Sequence, residues 1–68
     1  MFTTIARLVP GQRITSAMAA GVVVSNIAAY DGIGTHELIV QPDMSLTSER
    51  FIVHAADPIE AEEISGQD

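Results

Sequence analysis

Apolar and polar residues alternate with a period of two along most of this chain, in short runs separated by turn-forming residues. Phe2 to Val9 places Phe2, Thr4, Ala6 and Leu8 on one face and Thr3, Ile5, Arg7 and Val9 on the other, which predicts a strand with its arginine face wet. Pro10-Gly11 then predicts a type II turn, because proline fixes the φ of the second position and glycine supplies the positive φ of the third. Gln12 to Ala20 mixes helix-favouring Ala17, Met18, Ala19 and Ala20 with the Val22-Val23-Val24 run that follows, and reads as a strand or a bulged strand.

The clearest element is a hairpin: Gly21 to Tyr30, the loop Asp31-Gly32-Ile33-Gly34, and Thr35 to Gln41. A four-residue loop sets Tyr30 opposite Thr35, so that Ala29 faces His36, Ile27 faces Leu38 and Ser25 faces Val40 on a core face shared with Val23. The other face then carries Val24, Asn26, Ala28, Tyr30, Thr35, Glu37, Ile39 and Gln41, a mixed surface fit for a second buried layer or an interface. Pro42-Asp43 breaks the strand, and Glu49 to Ala55 reads as another with Phe51, Val53 and Ala55 inward. Asp57-Pro58-Ile59-Glu60 predicts a helix start: Asp57 as N-cap, Pro58 at the first helical position, Glu60 closing a capping box, with Gly66 as the stop. A helix this short either docks through Ile59 and Ile64 or frays into a tail.

Composition strengthens the strand reading. Ile and Val number 14 against three Leu, and β-branched side chains pack well on a pleated surface but lose rotamer freedom in a helix. The expected fold is therefore α+β and β-rich: a small antiparallel sheet of about four strands over residues 1–56, with a short acidic helix and tail over 57–68, in a single domain. Sixty-eight residues bury only about 60% of their unfolded surface, so the core is thin and self-association, most simply a homodimer, is expected. The longest weakly polar run, Ala17 to Tyr30, contains Ser25 and Asn26 and is too short for a membrane span of roughly 20 residues. Arg7 and Arg13 ahead of it, with Ala-x-Ala at Ala17 and Ala19, carry a faint likeness to an export signal, but the expected location is the cytoplasm.

Charge divides the molecule. Residues 1–30 carry Arg7 and Arg13 and no acid, whereas residues 31–68 carry nine acids and Arg50, so the halves are +2 and −8. With no lysine, three arginines and three aromatics, direct nucleic-acid binding is not expected. The absence of cysteine excludes thiol chemistry and disulfides. His36 and His54, with Glu37 and Asp57, are the available nitrogen and oxygen ligands, but His36 and Glu37 fall on opposite strand faces, and no metal or cofactor is expected. Gly32-Ile33-Gly34 lacks the lysine and following helix of a phosphate loop, and no serine sits in a nucleophile elbow.

What is left is a non-enzymatic, protein-binding role. The expectation is a small acidic module, of the kind phages and mobile elements use as anti-CRISPR or anti-restriction inhibitors, that modulates a larger basic, nucleic-acid-handling host complex by protein contact. Its partner-binding candidates are Asp57, Glu60, Glu62 and Glu63, with Glu37 and Tyr30. The alternative is a homo-oligomeric assembly or virion component whose outward Val22, Val24, Ile39 and Ile52 are buried against further copies.

Overall fold

The computed structural model describes residues 1–16 and 20–63. Six strands follow in order: β1 (Phe2–Thr4), β2 (Arg13–Ile14), β3 (Gly21–Ala28), β4 (Thr35–Pro42), β5 (Glu49–His54) and β6 (Pro58–Glu60), with a 3-10 turn at Ile5–Arg7. Strands β2-β3-β4-β5 form a four-stranded antiparallel sheet, and β1 pairs with β6. Residues 60–62 join the two. Thr15 donates its amide to the Glu60 carbonyl (3.0 Å) and Glu62 to that of Arg13 (2.9 Å), while Ala61 donates to Met1 on the other side (2.9 Å). At the opposite corner Ala55 donates to Gly34 (2.7 Å) and accepts from Ala6 (3.0 Å), so the sheet curls around its core. The β-rich expectation holds.

The C-terminal helix does not. The described residues contain no α-helix, and Pro58–Glu60 is a strand. The capping signals are outweighed because β1 and β2 offer backbone partners on both sides of residues 58–62, whereas a lone helix of about seven residues is unstable. Asp57 does accept an amide, but that of His54 (3.1 Å), and it donates its own amide to the His54 carbonyl, closing a turn. The expected helix stop at Gly66 and dock at Ile64 lie outside the described residues, as do Ala17 to Ala19.

The first strand is also shorter than its alternation suggests. After Thr4 the chain enters the 3-10 turn, which buries Ile5 and Leu8, three residues apart, and leaves Phe2 exposed. The Pro10-Gly11 turn forms as expected, with φ +90° at Gly11 and the Gln12 amide donating to Val9 at 3.1 Å.

In the hairpin the register differs by one. Ile27 lies opposite Glu37 and Asn26 opposite Leu38, because the loop takes five residues between the bonded pair Ala29 and Thr35. Gly32 and Gly34 adopt positive φ there, and the Asp31 carboxylate accepts the Ile33 amide at 3.0 Å. Continued unbroken, this register would turn Val23 away from Val40. A bulge between Val23 and Ser25 inserts one residue and restores the Val23-Val40 pair. Val23 and Asn26 thus point inward, three positions apart, while Ile27 points out and is 57% exposed, contrary to the sequence expectation for both Asn26 and Ile27.

The core is Ile5, Leu8, Ile14, Val23, Leu38, Val40 and Ala61, with Phe51, Val53 and Ile59 packed against it. Asn26 ties the 3-10 turn to the sheet. Its side-chain amide donates to the carbonyls of Ile5 (2.7 Å) and Leu8 (2.9 Å), and its Oδ1 lies 2.8 Å from His36 Nδ1. Both carbonyls are obligate acceptors, which fixes the amide orientation and requires the proton of neutral His36 to sit on Nδ1.

The hairpin tip has its own pH dependence. The Thr35 hydroxyl, then the Ile33 amide, hold the Asp31 carboxyl below its usual range. Folding lowers this pKa, so the contribution is present above the unfolded-chain value and lost as pH falls through the folded one, below about pH 4. Asp31→Asn is expected to flatten the stability profile between pH 5 and 2.5; denaturant melts of equal pH slope in both proteins would refute this.

Candidate contact face

The outward face of β3-β4-β5 follows from the register. One row across it is Ser25, Ile39 and Arg50, and the next is Ile27, Glu37 and Ile52. Arg50 Nε donates to Glu37 Oε2 diagonally between the rows. The bulge adds Val24, 48% exposed, next to Ser25, and Ile27 and Ile52 are 57% and 59% exposed. Three β-branched residues, Ile27, Ile39 and Ile52, therefore flank an ion pair that neutralises itself, with Val24 further along β3. Such a pair in the open is worth about 0.2–1 kcal/mol, so it organises the face more than it stabilises the fold.

Of the residues singled out from the sequence, Glu37 belongs to this face, as part of that pair. Tyr30 stands fully exposed in the hairpin loop. Glu60, on β6, lies 3.8 Å from the N-terminal amine, and Glu62 and Glu63 follow it, exposed, along the β2 edge. The Asp57 carboxylate is occupied by the His54 amide. The acids are thus not gathered into one surface with Glu37, since β2 and β3 intervene between residues 60–62 and β4. Asp43 is a further acid held internally, by two bonds from Arg13 Nη1 at 2.8 and 2.9 Å that keep the guanidinium pKa above its ordinary value.

The histidines serve the fold. His36 faces Asn26 on the inner side, whereas His54 lies opposite Thr35 on the other face and accepts the Ala56 amide at Nδ1 (3.0 Å). Among the described residues no group of three His, Asp or Glu side chains is arranged to hold a metal. Two shallow hollows of about 470 and 450 Å³ share Met1, Thr3 and Arg7. The described residues include no helix long and apolar enough to cross a membrane.

Ile27 is the outward-facing residue that alternation misassigned. Val22-Val23-Val24 is uniformly apolar, so the phase of the strand cannot be read through it, and the bulge leaves no local signature. Comparison with known proteins finds no match among family models, curated proteins or solved structures.

Proposed function

We propose that this chain is a non-enzymatic protein-binding module whose contact surface is the outward face of β3, β4 and β5. The observation that carries the reading is the exposure of Ile27 and Ile52 on either side of Glu37, which is neutralised by Arg50, with Val24 exposed further along β3. Scattered exposed apolar residues are ordinary on a small protein; a contiguous set built on rigid strands is the usual mark of a partner surface. A partner lying on it would bury β-branched side chains and strand no unpaired charge, since Glu37 and Arg50 keep each other as partners.

A second reading is docking on a basic, nucleic-acid-handling complex through Glu60, Glu62 and Glu63. The exposure of Glu62 and Glu63 beside one another favours it. The two readings separate in a capture experiment from a lysate of the source organism with immobilised wild type, Ile27→Lys/Ile52→Lys, and Glu60→Gln/Glu62→Gln/Glu63→Gln. The face reading expects recovery of the bound protein to fall at least tenfold with the lysine pair and to stay unchanged with the glutamines. The reverse pattern would transfer the site to the acidic segment, and full retention by both variants would sink both readings.

A further inference from the structure

β5 has an open edge. The Ala29 amide bonds Thr35, so the odd residues of β4 face β3 and its even residues face β5. Gly34 accepts from Ala55 in the same phase, which directs the main-chain groups of Glu49, Phe51 and Val53 toward β4 and those of Arg50, Ile52 and His54 away from it. His54 is closed off, its amide by the Asp57 carboxylate and its carbonyl by the Asp57 amide. Arg50 and Ile52 are left with an amide and a carbonyl each along the free side, and none of the loop, turn or side-chain hydrogen bonds of the described residues reaches them.

Edge strands are ordinarily blunted by a proline, by charged side chains (lysine above all), by a bulge or by extreme shortness. β5 has six residues in unbroken register with β4, no proline, lysine or bulge, and of its charges Glu49 and Arg50 the latter is already paired with Glu37. The free half of β3 differs, since it carries the bulge and Asn26 lashed to the 3-10 turn.

We infer that the occupant of this edge is β5 of a second copy, paired antiparallel about a two-fold axis through Phe51. The spacing makes the edge complementary to itself. With Arg50 opposite Ile52 of the second copy, and the reverse, both residues exchange both main-chain bonds, four in all. Phe51 then meets its own symmetry mate as a non-hydrogen-bonded pair, where Cα atoms approach to about 4.5 Å and aromatic pairs gain most. Phe51 is half-buried against the core, so this contact completes its burial. The neighbouring registers are poorer: a shift one way opposes Arg50 to Arg50, and a shift the other way requires the His54 groups that Asp57 has already taken. The dimer continues each four-stranded sheet into the other and leaves the apolar outward faces side by side, open to a partner. It is distinct from the face reading, because its bonds come from the backbone of β5, although Arg50 and Ile52 belong to both surfaces.

The test is sedimentation equilibrium from 5 µM to 1 mM on the wild type and on a synthetic chain N-methylated at Ile52, which keeps the side chain and the bonds to β4. The wild type is expected to dimerise within this range, and the methylated chain to associate at least tenfold more weakly with an unchanged circular dichroism spectrum. Amide exchange read on the wild type alone should slow at Arg50 and Ile52 as concentration rises. A wild type that stays monomeric to 1 mM, equal association of the two chains, or exchange at Arg50 and Ile52 independent of concentration would overturn the pairing. Ile52→Lys would set a lysine opposite Arg50 of the second copy, so the outward face is read separately by Ile27→Lys alone, which lies on β3 away from this edge. Capture lost by Ile27→Lys with unchanged self-association leaves the two readings distinguishable.

Discussion

Gly21→Ala is expected to leave the chain largely unfolded. A Cβ at this position would lie 2.3 Å from the Gln41 carbonyl oxygen and 2.8 Å from Pro42 Cα, and both are backbone atoms that no rotamer change can move. Gly21 is held on its other side by β2, where it pairs with the fully buried Ile14. Relief therefore requires either opening the end of the β3-β4 ladder or pushing Ile14 out of the core. Overpacking costs about 1–3 kcal/mol where side chains can yield, and more where they cannot, against a total of about 3–5 kcal/mol for a core of this size. Gly11→Ala is the control: its φ of +90° imposes strain, but nothing lies within 4 Å of the added carbon. It is expected to cost about 1 kcal/mol. Urea titration of the three proteins checks the pair, and a Gly21→Ala midpoint equal to that of Gly11→Ala would contradict the close approach.

Asn26→Asp is expected to be the second most damaging change, at about 3 kcal/mol. The carboxylate loses both donors to Ile5 and Leu8 and places an anion against their carbonyl oxygens. Each partly buried acceptor left without its donor costs about 1–3 kcal/mol, and its attraction to His36 recovers only part of that. Asn26→Leu removes the same donors without the charge and should fall between Asp and wild type. Since Asn26 fastens the 3-10 turn, exchange of the Leu8 amide, which bonds Ile5 at 3.1 Å, should accelerate before the β3-β4 ladder loosens. A loss below about 0.5 kcal/mol for Asn26→Asp in denaturant melts would mean that the network does not fasten the turn.

Much of this architecture can be read from local chemistry. Pro10-Gly11 forms its turn, β4 and β5 follow their alternation with Phe51 and Val53 half-buried, and Ile39 and Ile52 face outward as their positions require. Three features are not legible locally, each for its own reason. Ile5 and Leu8 are spaced for a 3-10 turn, but a three-residue turn inside an alternating run is masked by the alternation. Asp57-Pro58-Ile59-Glu60 carries helix-start residues, yet Ile59 and Ala61 alternate with Glu60 and Glu62, and that period-two signal prevails once β1 and β2 are both available as partners. The bulge at Val24 depends on loop length and on the Val23-Val40 and Asn26-Leu38 pairs together, a tertiary requirement that no short window contains.

The contact face inherits that last uncertainty in phase, because Ile27 and Asn26 exchange faces with a one-residue slip. On the charge side, the −8 of the second half suggests an acidic docking surface, but in the fold the carboxylates of Glu37, Asp43 and Asp57 are spent on Arg50, Arg13 and the His54 amide. Only geometry separates those acids, which have side-chain or main-chain partners, from the exposed Glu62 and Glu63, whose carboxylates form no ion pair among the described residues.

The register of β3 against β4 therefore decides both the Asn26 network and the contact face, and cross-strand Hα–Hα nuclear Overhauser effects read it directly. Non-hydrogen-bonded antiparallel pairs bring their Cα atoms to about 4.5 Å and give the strongest such signals. The fold described above predicts strong effects between Asn26 and Leu38 and between Ala28 and His36. Strong effects between Ile27 and Leu38 instead would turn Ile27 into the core, dissolve the outward apolar face and contradict the account.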